Sequence, residues 1–92
     1  MIRSFADRDT ELLFLNRSIP RFKNIERVAW RKLHLIHSAV SIDDLRALPG
    51  NRLEILLGNR SGQHSIRINN QWRVCFRWDG VDAHDVEIVD YH

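Results

Sequence analysis

Apolar residues recur at helical spacing in the first half of this 92-residue chain and alternate with polar ones in the second. Ile25, Val28, Ala29, Leu33, Ile36 and Val40 recur at helical spacing, with Arg27, Arg31, His34 and Ser38 on the other side. This pattern predicts an amphipathic helix from about Ile25 to Ala39, with Asn24 as its N-cap. Upstream, Asp7, Asp9 and Glu11 stand where a helix start favours acids, ahead of Leu12, Leu13 and Leu15. They predict a short first helix ending near Asn16, because Ser18-Ile19-Pro20 breaks the pattern. Met1 to Phe5 is a candidate strand. Ser41-Ile42-Asp43-Asp44 has the form of a capping box with Asp in place of Glu, opening one or two turns that stop before Pro49-Gly50.

Beyond Pro49-Gly50 the period changes. Leu53–Leu57, His64–Ile68, Trp72–Trp78 and Asp85–Tyr91 are strand candidates, and Gly58 to Gly62 is a loop bounded by glycines. The central hairpin has a definable register. A two-residue loop would pair Arg67 with Trp72 and mix the two faces. A three-residue loop, Asn69-Asn70-Gln71, pairs Ile68 with Trp72 and Ile66 with Val74, so the apolar faces agree. It also sets Arg67 opposite Arg73 on the other face. Like charges directly opposed cost stability, and a bound anion relieves that cost. The expected fold class is α+β, one domain over residues 1–92.

Composition excludes several classes. No apolar run approaches the ~18–20 residues that span a bilayer, and no apolar stretch follows the N-terminus as in a secretory signal. Cys75 is the single cysteine, so neither an internal disulfide nor a cysteine-based metal cage is expected, and a reducing cytoplasm is the default. The net charge of +2 conceals a segregation. Residues 45–78 carry six arginines, no lysine and one acid, Glu54, while residues 79–92 carry four aspartates and Glu87. Arginine's planar donor fork matches phosphate, so the middle block reads as a phosphate-facing surface. The alternative is that these arginines pair with the acidic tail.

The usual catalytic signatures are absent. There is no Gly-rich phosphate loop, HExxH pair or Cys/His zinc spacing. Ser61 and Ser65 flank His64 in sequence, but no nucleophile elbow surrounds them. Cys75 alternates onto the Arg67/Arg73 face and reads as a bystander. Trp72 and Trp78 belong to the core stripe, with Trp30 at its margin, and His34 and His37 are structural or solvated. The remaining cluster is terminal: Asp90, Tyr91 and His92. Histidine suits proton transfer near neutrality, a carboxylate orients it, and tyrosine can donate a hydrogen bond or stack on a base. The alternative for such an ending is a polar, frayed terminus.

Several of these segments together resemble a known family. They are Leu53-Glu54, Gly58-Asn59-Arg60-Ser61-Gly62-Gln63-His64-Ser65-Ile66-Arg67-Ile68, Gln71-Trp72-Arg73-Val74-Cys75-Phe76 and Glu87-Ile88-Val89-Asp90-Tyr91-His92. The chain resembles the HigB toxins of the RelE/ParE superfamily of bacterial toxin–antitoxin systems, and especially their GraT-like branch. The resemblance extends over the whole chain. It implies a RelE-like fold, with an N-terminal strand and two helices packed on one face of a mainly antiparallel sheet and RNA on the open face. It implies ribosome-dependent cleavage of mRNA in the decoding site. It also implies a helix-turn-helix antitoxin (HigA-like) that silences the toxin and reaches operator DNA on its behalf.

Carried over by residue, Arg73 is expected to hold the scissile phosphate, and Asp90, Tyr91 and His92 to form the catalytic cluster. Arg60, Arg67, His64 and Arg77 are expected on the RNA face. Some relatives carry a histidine and a lysine in the Leu53–Gly58 stretch, where this chain has Glu54 and Leu57. The expected reaction needs neither metal nor cofactor: the ribose 2′-OH attacks the adjacent phosphate and expels the 5′-oxygen. Strict alternation separates Asp90 and His92 from Tyr91, so convergence of all three requires a bulge near Asp90. Two other readings remain: a ParE-like poison of DNA gyrase that cuts nothing, and a non-catalytic ribosome- or RNA-binding module.

Overall fold

The computed structural model describes residues 1–91. Three helices come first: α1 (Arg8–Phe14), α2 (Glu26–Ser38) and α3 (Ile42–Arg46). Four strands follow: β1 (Glu54–Ile55), β2 (Gln63–Arg67), β3 (Trp72–Trp78) and β4 (Ala83–Asp90). They form one antiparallel sheet in the order β1-β2-β3-β4.

Each helix start has a local cause. Asp7 caps α1 by accepting from the Thr10 backbone N–H at 3.2 Å. Asp44 accepts from the backbone N–H groups of Val40 and Ser41, the reciprocal half of the expected capping box. Asn24 does not cap α2. Ile25 occupies that position, with no side-chain cap, because the chain enters through a 3-10 turn at Pro20–Phe22 anchored by fully buried Phe22.

Leu13 of α1, Ala29, Leu33 and Ile36 of α2, and Leu45 of α3 pack with Ile66, Val74, Phe76, Val86 and Ile88 of the sheet. Trp72 meets the Phe22 ring edge-on at 5.6 Å, closing one side of this core. The hairpin has the three-residue-loop register, with Ile66 opposite Val74 and Arg67 opposite Arg73. Ile68 N–H donates to the Trp72 carbonyl at its end. The inner face is therefore apolar and helix-covered, and the arginines are gathered on the outer face.

Met1–Phe5 makes only isolated parallel bridges, Ile2 with Ala83 and Phe5 with Val86, rather than a strand. These bridges still cover the outer edge of β4. Where they stop, the Thr10 hydroxyl accepts from the Ile88 backbone N–H at 3.0 Å and donates to Asp7. The edge that would otherwise template another chain is thus closed by the protein's own start. The opposite edge strand, β1, is two residues long and exposed. The strand irregularity falls between Cys75 and Arg77 on the β3 side, not at Asp90. There Asp85 takes a left-handed backbone (φ 53) as the extra residue on β4.

Two predictions follow from these contacts. Thr10→Val keeps the shape but strands the buried Ile88 N–H, so it should cost about 1–3 kcal/mol in denaturant unfolding; an unchanged midpoint would mean the hydroxyl is dispensable. The second concerns pH. His37 Nδ1 accepts the Ile2 N–H at 3.1 Å, which requires the neutral ring. Burial, the nearby N-terminal ammonium and His34 all hold its pKa below the ordinary histidine value. A base with a depressed native pKa stabilises the fold above its unfolded pKa of about 6.5 and loses that contribution as pH falls. Thermal midpoints should therefore decline from pH ~7.5 to ~5.5, and His37→Asn should flatten the decline.

Candidate functional site

The outer face of the sheet holds a cleft of about 240 Å³ at the end of the β2–β3 hairpin. Arg52, Glu54, Arg67, Asn70, Arg73 and Tyr91 line it. Strand alternation supplies Arg67 and Arg73, β1 supplies Glu54, the turn before it supplies Arg52, and the residue after β4 is Tyr91. A larger hollow of about 430 Å³ between α1 and α2, lined by Leu13, Arg17, Arg27 and Trp30, lies on the helical layer.

Arg73 is the floor of the cleft and only 8% exposed. Its Nε donates to Ser65 Oγ at 2.8 Å, and its Nη2 donates to the Arg52 carbonyl at 2.6 Å and the Ser65 carbonyl at 3.3 Å. Nη1 lies 3.7 Å from Glu54 Oε1. The arginine is therefore on the expected face but held beneath other residues, with Nη1 as the edge turned towards Glu54. Its charge is fixed in place, as stabilising charge on a phosphate requires.

Arg52, above it, has a left-handed backbone (φ 44, ψ 57), an arrangement costing a non-glycine residue about 1–2 kcal/mol. The structure around it enforces this conformation. The Arg52 N–H donates to the Pro49 carbonyl, and its own carbonyl is clamped by Arg73. Asn51 before it is fully buried, accepting from Lys32 Nζ at 2.6 Å and donating to the Leu45 carbonyl at 3.1 Å. Asn51 thus ties this turn to α2 and α3 while Arg52 faces the cleft.

The other predicted positions divide. Arg67 lines the cleft, its Nη2 donating to Asn70 Oδ1 at 2.6 Å. Arg60 is on the same face but shared between Gln63 and Glu87, each at 3.1 Å. Arg77 pairs with Asp85 at 3.4 Å. His64 is not on this face. It pairs with Phe76 across the ladder and stacks on that ring at 6.0 Å, because alternation puts it with Ile66 on the helical side. Burial, with Arg46 nearby, lowers its pKa. Cys75 is fully buried, and burial pushes its thiol pKa up, so it is a structural thiol.

The terminal cluster is also divided. Tyr91 lines the cleft with 39% exposure. Asp90 sits across from Trp72, on the other side of the strand, and accepts from Gln71 Nε2 at 3.1 Å. Alternation is unbroken here, as the bulge lies upstream. His92 lies outside the described residues.

Both readings of the charge segregation hold, for different arginines. The acids of β4 take Arg60 and Arg77, and Asp82 takes the N-terminal ammonium and Arg3. Arg52 and Arg67 have no carboxylate partner among the described residues. Sequence reading missed Arg52 and the positioning role of Ser65. The one signal for Arg52 was an arginine just after Pro49-Gly50-Asn51, in turn context.

Comparison with known proteins agrees with this architecture. A family model described as the RelE-like toxin of type II toxin–antitoxin system HigB matches residues 3–92. The chain is 48% identical over 67 residues to Toxin HigB-1 of Vibrio cholerae serotype O1, covering 72% of this chain and 68% of that one. It is 32% identical over 95 residues to Endoribonuclease HigB of Proteus vulgaris, with both chains covered in full. On the strength of that match over nearly its whole length, this chain belongs to the RelE-like HigB family of type II toxins.

Proposed function

We propose that this toxin is an endoribonuclease that cuts mRNA on the ribosome, with the outer-face cleft as its active site. The observation that carries the reading is the meeting in one open cleft of buried Arg73, Tyr91 and Arg67, which has no carboxylate partner among the described residues. A pocket of fixed positive charge with Tyr91 at its rim suits phosphate-ester cleavage. The kinship with an endoribonuclease of the same length supports it.

In this mechanism a ribose 2′-OH loses its proton to a base and attacks the adjacent phosphorus. The P–O5′ bond breaks, and the 5′-oxygen takes a proton from an acid. One product ends in a 2′,3′-cyclic phosphate and the other in a 5′-OH. Arg73 stabilises the charge growing on the non-bridging oxygens, and Arg67 holds the backbone. Tyr91 orients the phosphate or a base, and the proton transfers are assigned to His92, with Asp90, turned to the other side of the strand from the cleft, as a positioning residue. Arg60 and Arg77 extend the basic track along β3, each balanced by a β4 acid. As a type II toxin its partner is an antitoxin protein. We assign to that partner a helix-turn-helix fold (HigA-like) and the contacts with operator DNA, and to the toxin a cytoplasmic site of action. No helix among the described residues is long and apolar enough to cross a membrane.

The test is purified toxin on programmed ribosomes with mapping of mRNA 5′ ends. Discrete cuts leaving 5′-OH ends are expected; intact mRNA with folded toxin would overturn the reading. Stalled DNA replication without RNA cleavage would point to a gyrase poison. Deletion of His92 should slow cleavage by about 10²–10⁴-fold with an unchanged thermal midpoint if it is a general acid or base. Tyr91→Phe should be milder if the ring only stacks. Arg73→Ala should lower cleavage and stability together, since it strands Ser65 Oγ and the Arg52 carbonyl, a loss of about 1–3 kcal/mol. A fully stable Arg73→Ala variant would show that its internal hydrogen bonds carry no weight.

A further inference from the structure

Arg52 is the one cleft residue whose backbone conformation argues against its own side chain. At φ 44 a glycine would be unstrained, and an L-residue is not. Gly50, two residues earlier, is outside the left-handed region. Asn51 is the more natural left-handed residue by turn chemistry, but its amide is committed to Lys32 and the Leu45 carbonyl. The strained position therefore falls on an arginine, and Arg73 Nη2 spends a 2.6 Å hydrogen bond on keeping it there.

That side chain is solvent-exposed and lines the cleft, and no carboxylate among the described residues pairs with it. Arg67, also without one, lines the same cleft and keeps donors beyond the one given to Asn70. Two guanidinium groups without a carboxylate partner among the described residues flank the fixed charge of Arg73. Phosphodiester oxygens are the ligand this geometry suits, since each fork can donate to two of them.

We infer that Arg52 is a phosphate-binding residue of the cleft, acting with Arg67 on the RNA backbone beside the bond that is cut. Arg73 acts partly through it, as the group that holds the Arg52 backbone in place. The identity of the anion as an RNA phosphate rests on the nuclease reading; the anion site itself does not.

The experiment uses Arg52→Gly, which removes the side chain and relieves the backbone. The probe is a short single-stranded RNA carrying 2′-O-methyl groups throughout, so that it binds without being cut. Affinity is read by fluorescence anisotropy from low to moderate salt. The variant should keep or raise the thermal midpoint and bind about tenfold more weakly, the loss expected for one charged hydrogen-bonding contact. Its plot of log affinity against log salt should be shallower by about 0.7, the slope of one phosphate contact on a single strand. Arg52→Lys should recover part of the affinity and the slope. Binding equal to the parent's at every salt concentration, including no measurable binding by either, would overturn the inference. So would a loss of affinity that tracks a fall in the thermal midpoint. The outcomes separate from the nuclease test. Arg52-dependent binding by a toxin that leaves ribosomal mRNA intact keeps the site and removes the enzyme. Cleavage by a toxin indifferent to Arg52→Gly does the reverse.

Discussion

A single buried guanidinium organises the outer face of this protein. Arg73 joins β3 to β2 through Ser65 and joins both to the turn before β1 through the Arg52 carbonyl. A buried charge is costly unless its donors are met by good acceptors, and here the acceptors are a hydroxyl and backbone carbonyls with a carboxylate at a distance. The one carboxylate partner among the described residues, Glu54, stands at 3.7 Å and is half exposed, so it offsets the charge only in part. The charge is desolvated, oriented and left facing a cleft. Charge prepared in this way is what makes a phosphate transition state easier to reach, because no reorganisation is needed when it forms.

The rest of the electrostatics can be understood as a division of labour along the sheet. The acidic strand β4 matches Arg60 and Arg77, and Asp82, just before it, secures the chain start. Hydrogen bonds from the N-terminal ammonium and Arg3 keep the Asp82 carboxyl below the usual range. Towards the hairpin end that neutralisation stops, and Arg52, Arg67 and Arg73 share the cleft with Glu54 alone. The field of the face is thus graded. Such a gradient would draw a polyanion along the sheet towards the arginines that are least matched. Glu54, about half exposed and 3.7 Å from Arg73 Nη1, competes with an incoming phosphate for that edge.

The sequence by itself determined the layers. Helical spacing in the first half and alternation in the second sufficed for the helices, for β2 to β4 and for the hairpin register, because burial of one face leaves no other register open. Met1–Phe5 forms isolated bridges instead of the expected strand, and of Leu53–Leu57 only two residues pair. The sequence also showed Arg67 opposite Arg73 and the outward turn of Cys75. His64 could have been placed by the same alternation, since it shares the parity of Ile66; the family resemblance assigned it to the RNA face instead. The terminal motif was visible as chemistry, and alternation already set Asp90 and Tyr91 on opposite faces, as the structure has them. The bulge that could have reunited them sits at Asp85.

Only the tertiary structure decided which arginines are available. Arg52, Arg60, Arg67, Arg73 and Arg77 are alike in sequence, and their differences come from partners distant along the chain. Glu87 is 27 residues from Arg60, and the Arg52 carbonyl is 21 residues from the guanidinium of Arg73. Likewise, Asn51 took the buried hydrogen bonds, so the left-handed turn passed to Arg52, a choice set by α2 and α3 packing behind it. Hydrophobic pattern is a local and periodic signal, so it survives in the sequence. The pairing of charges and the strain at one turn residue depend on which segments meet in space, and they are settled only when the sheet and helices close on each other.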